Sequence, residues 1–64
     1  MNKEEIKKRV KAVWPDAIFD REDNTRIWFR LSFVSRWEMK QARLPYWQLM
    51  ANDGVTMYLI IFIK

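Results

Sequence analysis

Residues 55–63 read VTMYLIIFI, and as a strand this run is apolar on both sides, with Val55, Met57, Leu59, Ile61 and Ile63 on one face and Thr56, Tyr58, Ile60 and Phe62 on the other. The cleanest alternation in the chain is over residues 25–33, where Ile27, Phe29, Leu31 and Phe33 share one face and Arg26, Trp28, Arg30 and Ser32 the other. Residues 16–20 predict a shorter strand before it, joined by a polar turn at Arg21, Glu22, Asp23 and Asn24. Near the N-terminus the period changes. Ile6, Val10, Val13 and Trp14 form a single helical stripe that Lys3, Lys7, Lys8 and Lys11 avoid. Asn2 and Glu5 have capping-box spacing at its start, and Pro15 disfavours helical geometry at Trp14, so the helix should end near Val13.

Residues 35–44 fit two patterns. As a helix they open with a capping box from Ser35 to Glu38; as a strand they alternate Trp37 and Met39 against Arg36, Glu38 and Lys40. Pro45 suits the first turn of a helix over residues 45–52 that Gly54 would cap, and Asn52, Asp53 and Gly54 closing a hairpin is the second choice. Either way residues 1–64 make one α+β domain with an antiparallel sheet, in the order α-β-β-β-α-β, or α-β-β-α-β if residues 35–44 are helical. Trp14, Trp37, Trp47 and the methionines are expected in its core.

Size sharpens the meaning of the two-faced C-terminal strand. In 64 residues there is helix enough to cover one side of a sheet and little for the second. Without cysteine or histidine the chain has no disulfide, no thiolate or imidazole metal ligand and no ordinary general base. Half of its residues are hydrophobic and 16% are aromatic, so dense packing or association must supply the stability that staples would otherwise give. The N-terminus is too charged for a signal peptide, and the C-terminal apolar run is about half the roughly 20 residues a spanning helix needs, which predicts a soluble cytoplasmic protein with no membrane contact. A net charge of +4 permits acidic partners without demanding them.

If residues 35–41 are a strand, Glu38, Met39 and Lys40 supply an ExK tripeptide whose end residues share a face, as metal binding and water activation require. On these residues and the element order, the chain resembles a degenerate PD-(D/E)xK, restriction-endonuclease-like nuclease core, and QARLPYWQLMANDG followed by YLIIFI is similar to the helix and apolar strand that close resolvase-like members. The resemblance implies a metal-dependent nuclease with Glu38 and Lys40 in its site. The chain departs from the pattern on the second strand, where the family has a metal-binding Asp: residues 26–31 contain no acid, Arg30 occupies the corresponding place, and Pro15–Asp16 falls one strand early. Asp16, Asp20, Glu22 and Asp23 lack a recognisable ligand spacing and read as a solvated turn, and no histidine is available to activate Ser32 or Ser35. Outside that resemblance no catalytic residue, metal, cofactor or small-molecule substrate is assigned.

Two binding surfaces are predicted. Tyr58, Ile60 and Phe62 lie beside Trp28 if the second and last strands are neighbours, an apolar aromatic patch with Arg26 and Arg30 at its rim and the composition of a protein interface. The expected function is a small non-catalytic binding protein that docks on a larger protein or a second copy of itself, in the manner of phage products that inhibit host nucleic-acid-processing machinery. The alternative is direct DNA or RNA binding by Arg26, Trp28 and Arg30, extended by Arg36, Lys40 and Arg43, with guanidinium groups on phosphates and the indole on a base.

Overall fold

The Asn2 side chain accepts the Glu5 backbone N–H at 2.8 Å and starts a helix as predicted, while the Glu5 carboxylate is held by Arg9 at 3.0 Å. A computed structural model describes residues 2–63. Helix α1 (Lys3–Val13) leads to β1 (Ile18–Glu22), β2 (Arg26–Leu31), α2 (Arg36–Ala42), β3 (Tyr46–Ala51) and β4 (Met57–Phe62). The four strands form one antiparallel sheet in the order β1-β2-β4-β3. The α+β class, the N-terminal helix and the apolar C-terminal strand stand as the sequence indicates.

Three local expectations need correction. The first strand lies two residues later than residues 16–20, because Pro15 and Asp16 are used in a turn closed by the Ala17 N–H on the Trp14 carbonyl at 2.9 Å. Lys11 fastens that turn by donating its ammonium to the Pro15 and Ala17 carbonyls, each at 2.9 Å. Residues 35–41 are not a strand: both halves of the capping box form, Ser35 Oγ accepting the Glu38 N–H at 3.1 Å and Glu38 Oε1 accepting the Ser35 N–H at 2.9 Å, and α2 follows. Residues 45–52 are not a helix, since Arg43 ends α2 in the left-handed region at φ 52° and the chain leaves extended into β3.

The hairpin ranked second for residues 52–54 is the one observed. Asp53 Oδ1 accepts the Val55 and Thr56 N–H groups at 3.0 and 2.9 Å, and the Asn52 N–H bonds the Thr56 carbonyl at 3.0 Å. The β1–β2 hairpin uses the same device, with Asp23 Oδ1 accepting the Thr25 and Arg26 N–H groups at 2.9 and 2.7 Å.

Period two then sorts the side chains. Ile27, Phe29 and Leu31 of β2 and Leu59 and Ile61 of β4 enter the core with Ile6 and Val10 of α1 and Met39 and Ala42 of α2. Both helices therefore pack on one face. Each large core side chain gains about 1.5–3 kcal/mol from leaving water, which is how so small a fold holds without staples. Trp14 and Met39 join the core and Met57 packs against it, but Trp37 (68% exposed), Trp47 (42%) and Met50 (44%) do not, and Met1 lies outside the described residues. Trp37 is on the solvent side of a two-turn helix, and Trp47 lies on an outer strand, beside an open groove that separates it from α2.

Candidate functional site

Among the described residues no helix lies on the opposite face of the sheet. Its pattern is set by the registers Arg26↔Phe62, Trp28↔Ile60 and Arg30↔Tyr58, continued on β3 by Tyr46, Gln48 and Met50 opposite Phe62, Ile60 and Tyr58. Ile60 is only 3% exposed even though no helix lies over it, so its neighbours on the face shield it. Trp28 and Tyr58 meet edge to face, ring centres 5.7 Å apart and planes at 80°. Trp28, Tyr58 and Phe62 are each partly buried and partly open to solvent.

A bulge brings a further cation here. The β1–β2 register shifts between Phe19 and Arg21, leaving Asp20 as the extra residue, so Arg21 stands opposite Trp28 with its guanidinium 4.2 Å from the ring centre. Arg26 reaches the same ring at 5.7 Å. Each of the three arginines has a carboxylate within ion-pair distance, two carboxylates serving three cations: Arg26 pairs with Asp23 at 3.0 Å, and Asp20 is shared, 3.6 Å from Arg30 and 3.7 Å from Arg21. The Asp23 carboxyl is pulled down to about 2, first by the Thr25 backbone N–H and then by Arg26.

Arg36, Lys40 and Arg43 do not extend this face. They lie on and just beyond α2, on the helix side of the sheet, where they edge a separate groove of about 550 Å³ between α2 and β3. The six basic and aromatic residues considered as one nucleic-acid surface are therefore two groups on opposite faces, because residues 35–42 coil as a helix above the sheet instead of joining it.

Glu38 and Lys40 sit on α2, where residues two apart point about 200° from each other, so they do not share a face as they would on a strand. The Glu38 carboxylate is engaged in the helix cap. The Ser35 backbone N–H, and after it the Trp14 indole, hold it below the usual carboxylate range, although the buried Trp14 Nε1 has no partner at full hydrogen-bond geometry among the described residues. Three of the four acids near the first turn are occupied too. Glu22 binds Lys7 at 2.6 Å and Lys3 at 3.2 Å, and Asp20 and Asp23 serve the arginines. Among the described residues no three carboxylates converge on a point where a metal ion could sit.

Sequence reasoning missed Arg21, Tyr46, Gln48 and Met50 on the open face. Period two over residues 46–51 carries the signal for the last three, hidden by an equally good helical spacing; nothing local marks the bulge that turns Arg21 outward. No helix among the described residues is long and apolar enough to cross a membrane. No family model, curated protein or solved structure matches the chain.

Proposed function

We propose that this protein is a non-catalytic binding module that docks on another protein through the helix-free face of its sheet, with a second copy of the chain as the first partner to test. The supporting observation is the continuous cluster of Trp28, Tyr58, Ile60 and Phe62 on a face that neither helix touches. Aromatic anchors at the centre with arginines at the margin are the makeup of an interface hot spot. Two such faces stacked sheet on sheet would exclude water from the indole and phenyl groups and leave the paired arginines at the rim. Phosphate binding is less well served there, because a polyanion would first have to displace Asp20 and Asp23 from the cations it needs.

Sedimentation equilibrium over a wide concentration range tests the proposal. The parent chain should self-associate, and Trp28→Ala with Phe62→Ala should weaken that association by well over about a thousandfold, each anchor being worth about 2 kcal/mol and each being lost from both copies. Self-association that survives the double substitution overturns the role of this face, and a monomer at every concentration refutes docking on a second copy. A monomer that binds an oligonucleotide with strong salt dependence, and loses it on Trp28→Ala, would make the face a nucleic-acid surface instead.

A further inference from the structure

The two outer strands of the sheet are unequal. β1 is blunted as edges usually are, by the bulge at Asp20 and by the charged run Asp20, Arg21 and Glu22. β3 has neither device: YWQLMA contains no charge and no proline, pairs with β4 without interruption, and has no strand on its other side. Six residues of flat, uncharged edge present unpaired backbone donors and acceptors to any extended chain that reaches them.

Beside that edge, on the helix face, lies the groove of about 550 Å³. Its floor is aliphatic and aromatic, from Met39, Leu44, Leu49 and the 42%-exposed Trp47. Its rim is cationic, from Arg36 and Lys40, spaced i, i+4 along one side of α2, and from Arg43 at the left-handed C-cap. Unlike the arginines of the open face, these three have no carboxylate within ion-pair distance among the described residues.

We propose that β3 and this groove take up an extended acidic segment of a partner protein as a fifth strand, its backbone on the β3 edge, its apolar side chains over Trp47 and Leu49, and its carboxylates on Arg36, Lys40 and Arg43. Strand addition supplies register-independent affinity through the main chain, and the side chains facing the groove supply selectivity. Charge decides between occupants. A second copy pairing β3 to β3 would bring three more cations toward the three already present, and a nucleic acid would satisfy the cations but leave the strand edge and the aliphatic floor unused. The proposal is independent of the open-face reading, since the groove is on the other side of the sheet.

The test is a titration of the isotope-labelled protein, followed by amide NMR, with a capped decapeptide of Glu-Glu-Val-Val repeats, which places both residue types on both faces of an extended chain. Shift changes should fall on β3 and α2, with new exchange protection of β3 amides. A peptide N-methylated at alternate residues, a lysine-for-glutamate peptide, and the parent peptide against a Lys40→Glu, Arg43→Glu protein should each bind about tenfold or more weakly, as loss of two or three ion pairs or of the main-chain ladder requires. Trp28→Ala with Phe62→Ala should leave this binding unchanged, which separates its failure from failure of the open-face proposal. The inference is overturned if β3 amides do not respond at millimolar peptide, if the N-methylated peptide binds equally well, or if oligothymidylate occupies the groove and the peptide does not.

Discussion

The guanidinium of Arg21 lies 4.2 Å from the centre of the Trp28 ring, directly across the β1–β2 pair, and it is there only because Asp20 is bulged. Strict alternation from the inward Phe19 would send Arg21 toward the helices and Glu22 away from them. The extra residue reverses both: Arg21 covers the indole on the open face, and Glu22 turns in to meet Lys3 and Lys7 of α1. One bulge thus completes the docking face on one side and ties helix to sheet on the other.

Arg21→Ala should uncover Trp28 with little loss of stability. A cation over an exposed indole contributes about 0.5–1 kcal/mol, so urea unfolding should shift by no more than that. The 19F resonance of a 5-fluorotryptophan at position 28 should move, while those of the other three tryptophans stay in place.

Phe29 and Phe33 were equivalent by alternation but are not equivalent in the fold. Phe29 is 2% exposed, whereas Phe33 lies beyond the end of β2 and is 72% exposed. Phe29→Ala should cost about 3–5 kcal/mol, about a third or more of the total of about 3–10 for a chain this long, and should lower the denaturant midpoint sharply. Phe33→Ala should stay within about 0.5 kcal/mol. Denaturant midpoints of the two variants give the comparison.

Among the described residues two positions have positive φ and carry opposite kinds of residue, Arg43 at 52° and Gly54 at 91°. Arg43→Gly should stabilise the protein by about 1 kcal/mol by relieving the left-handed backbone at the end of α2, and at the same time weaken acidic-peptide binding by removing a groove cation. Gly54→Ala should destabilise by about 1 kcal/mol, although the added methyl meets nothing within 4 Å, because its strain is in the backbone alone. Thermal melts read both.

Stability should be flat through neutral pH, since the chain has no histidine. Glu22, Asp23, Glu38 and Asp53 all have folded pKa values below their ordinary ones, Glu22 chiefly through Lys7, Asp23 through the Thr25 N–H, Glu38 through the Ser35 N–H and Asp53 through the Thr56 N–H. Groups of this kind stabilise above their unfolded values of 3.8 to 4.5, and that contribution is lost as pH falls, for Asp23 down to about 2. Lys7 has the opposite sign. Its pKa is raised, chiefly by Glu22, so its contribution is complete below 10.5 and lost only as pH climbs past that value. Melting temperature against pH should therefore show a plateau from about 5 to 10 with a fall on the acid side, and Asp23→Asn should shrink that fall.

Where the sequence carried two periodicities at once, local information was insufficient. Over residues 45–52 the apolar positions satisfy a helix as well as a strand, and Pro45 and Gly54 fit helix ends as well as a hairpin. β4 resolves the conflict by offering an open edge, and pairing with it satisfies a row of backbone groups that an isolated helix of about two turns would leave to water. For residues 35–44 the capping box from Ser35 to Glu38 proved the better guide. It is a local hydrogen-bond pattern, whereas alternation of side chains acquires meaning only once a sheet exists to receive it.

Local rules already set the composition of the surfaces: a helix that stops before Pro15, a β2 strand with one greasy and one basic aromatic side, and a C-terminal strand apolar on both. These follow from caps, proline geometry and period two, which act within a few residues of each other. Which residues share a surface was left to the packing of distant segments. The neighbouring of β2 and β4 assembled Trp28 with Tyr58, Ile60 and Phe62, the bulge at Asp20 added Arg21, and the packing of α2 over the sheet carried Arg36, Lys40 and Arg43 to the far side. The physical reason is that strand order and helix placement are set by contacts between residues far apart in the chain, where burial of the shared core outweighs any preference a short segment has for itself.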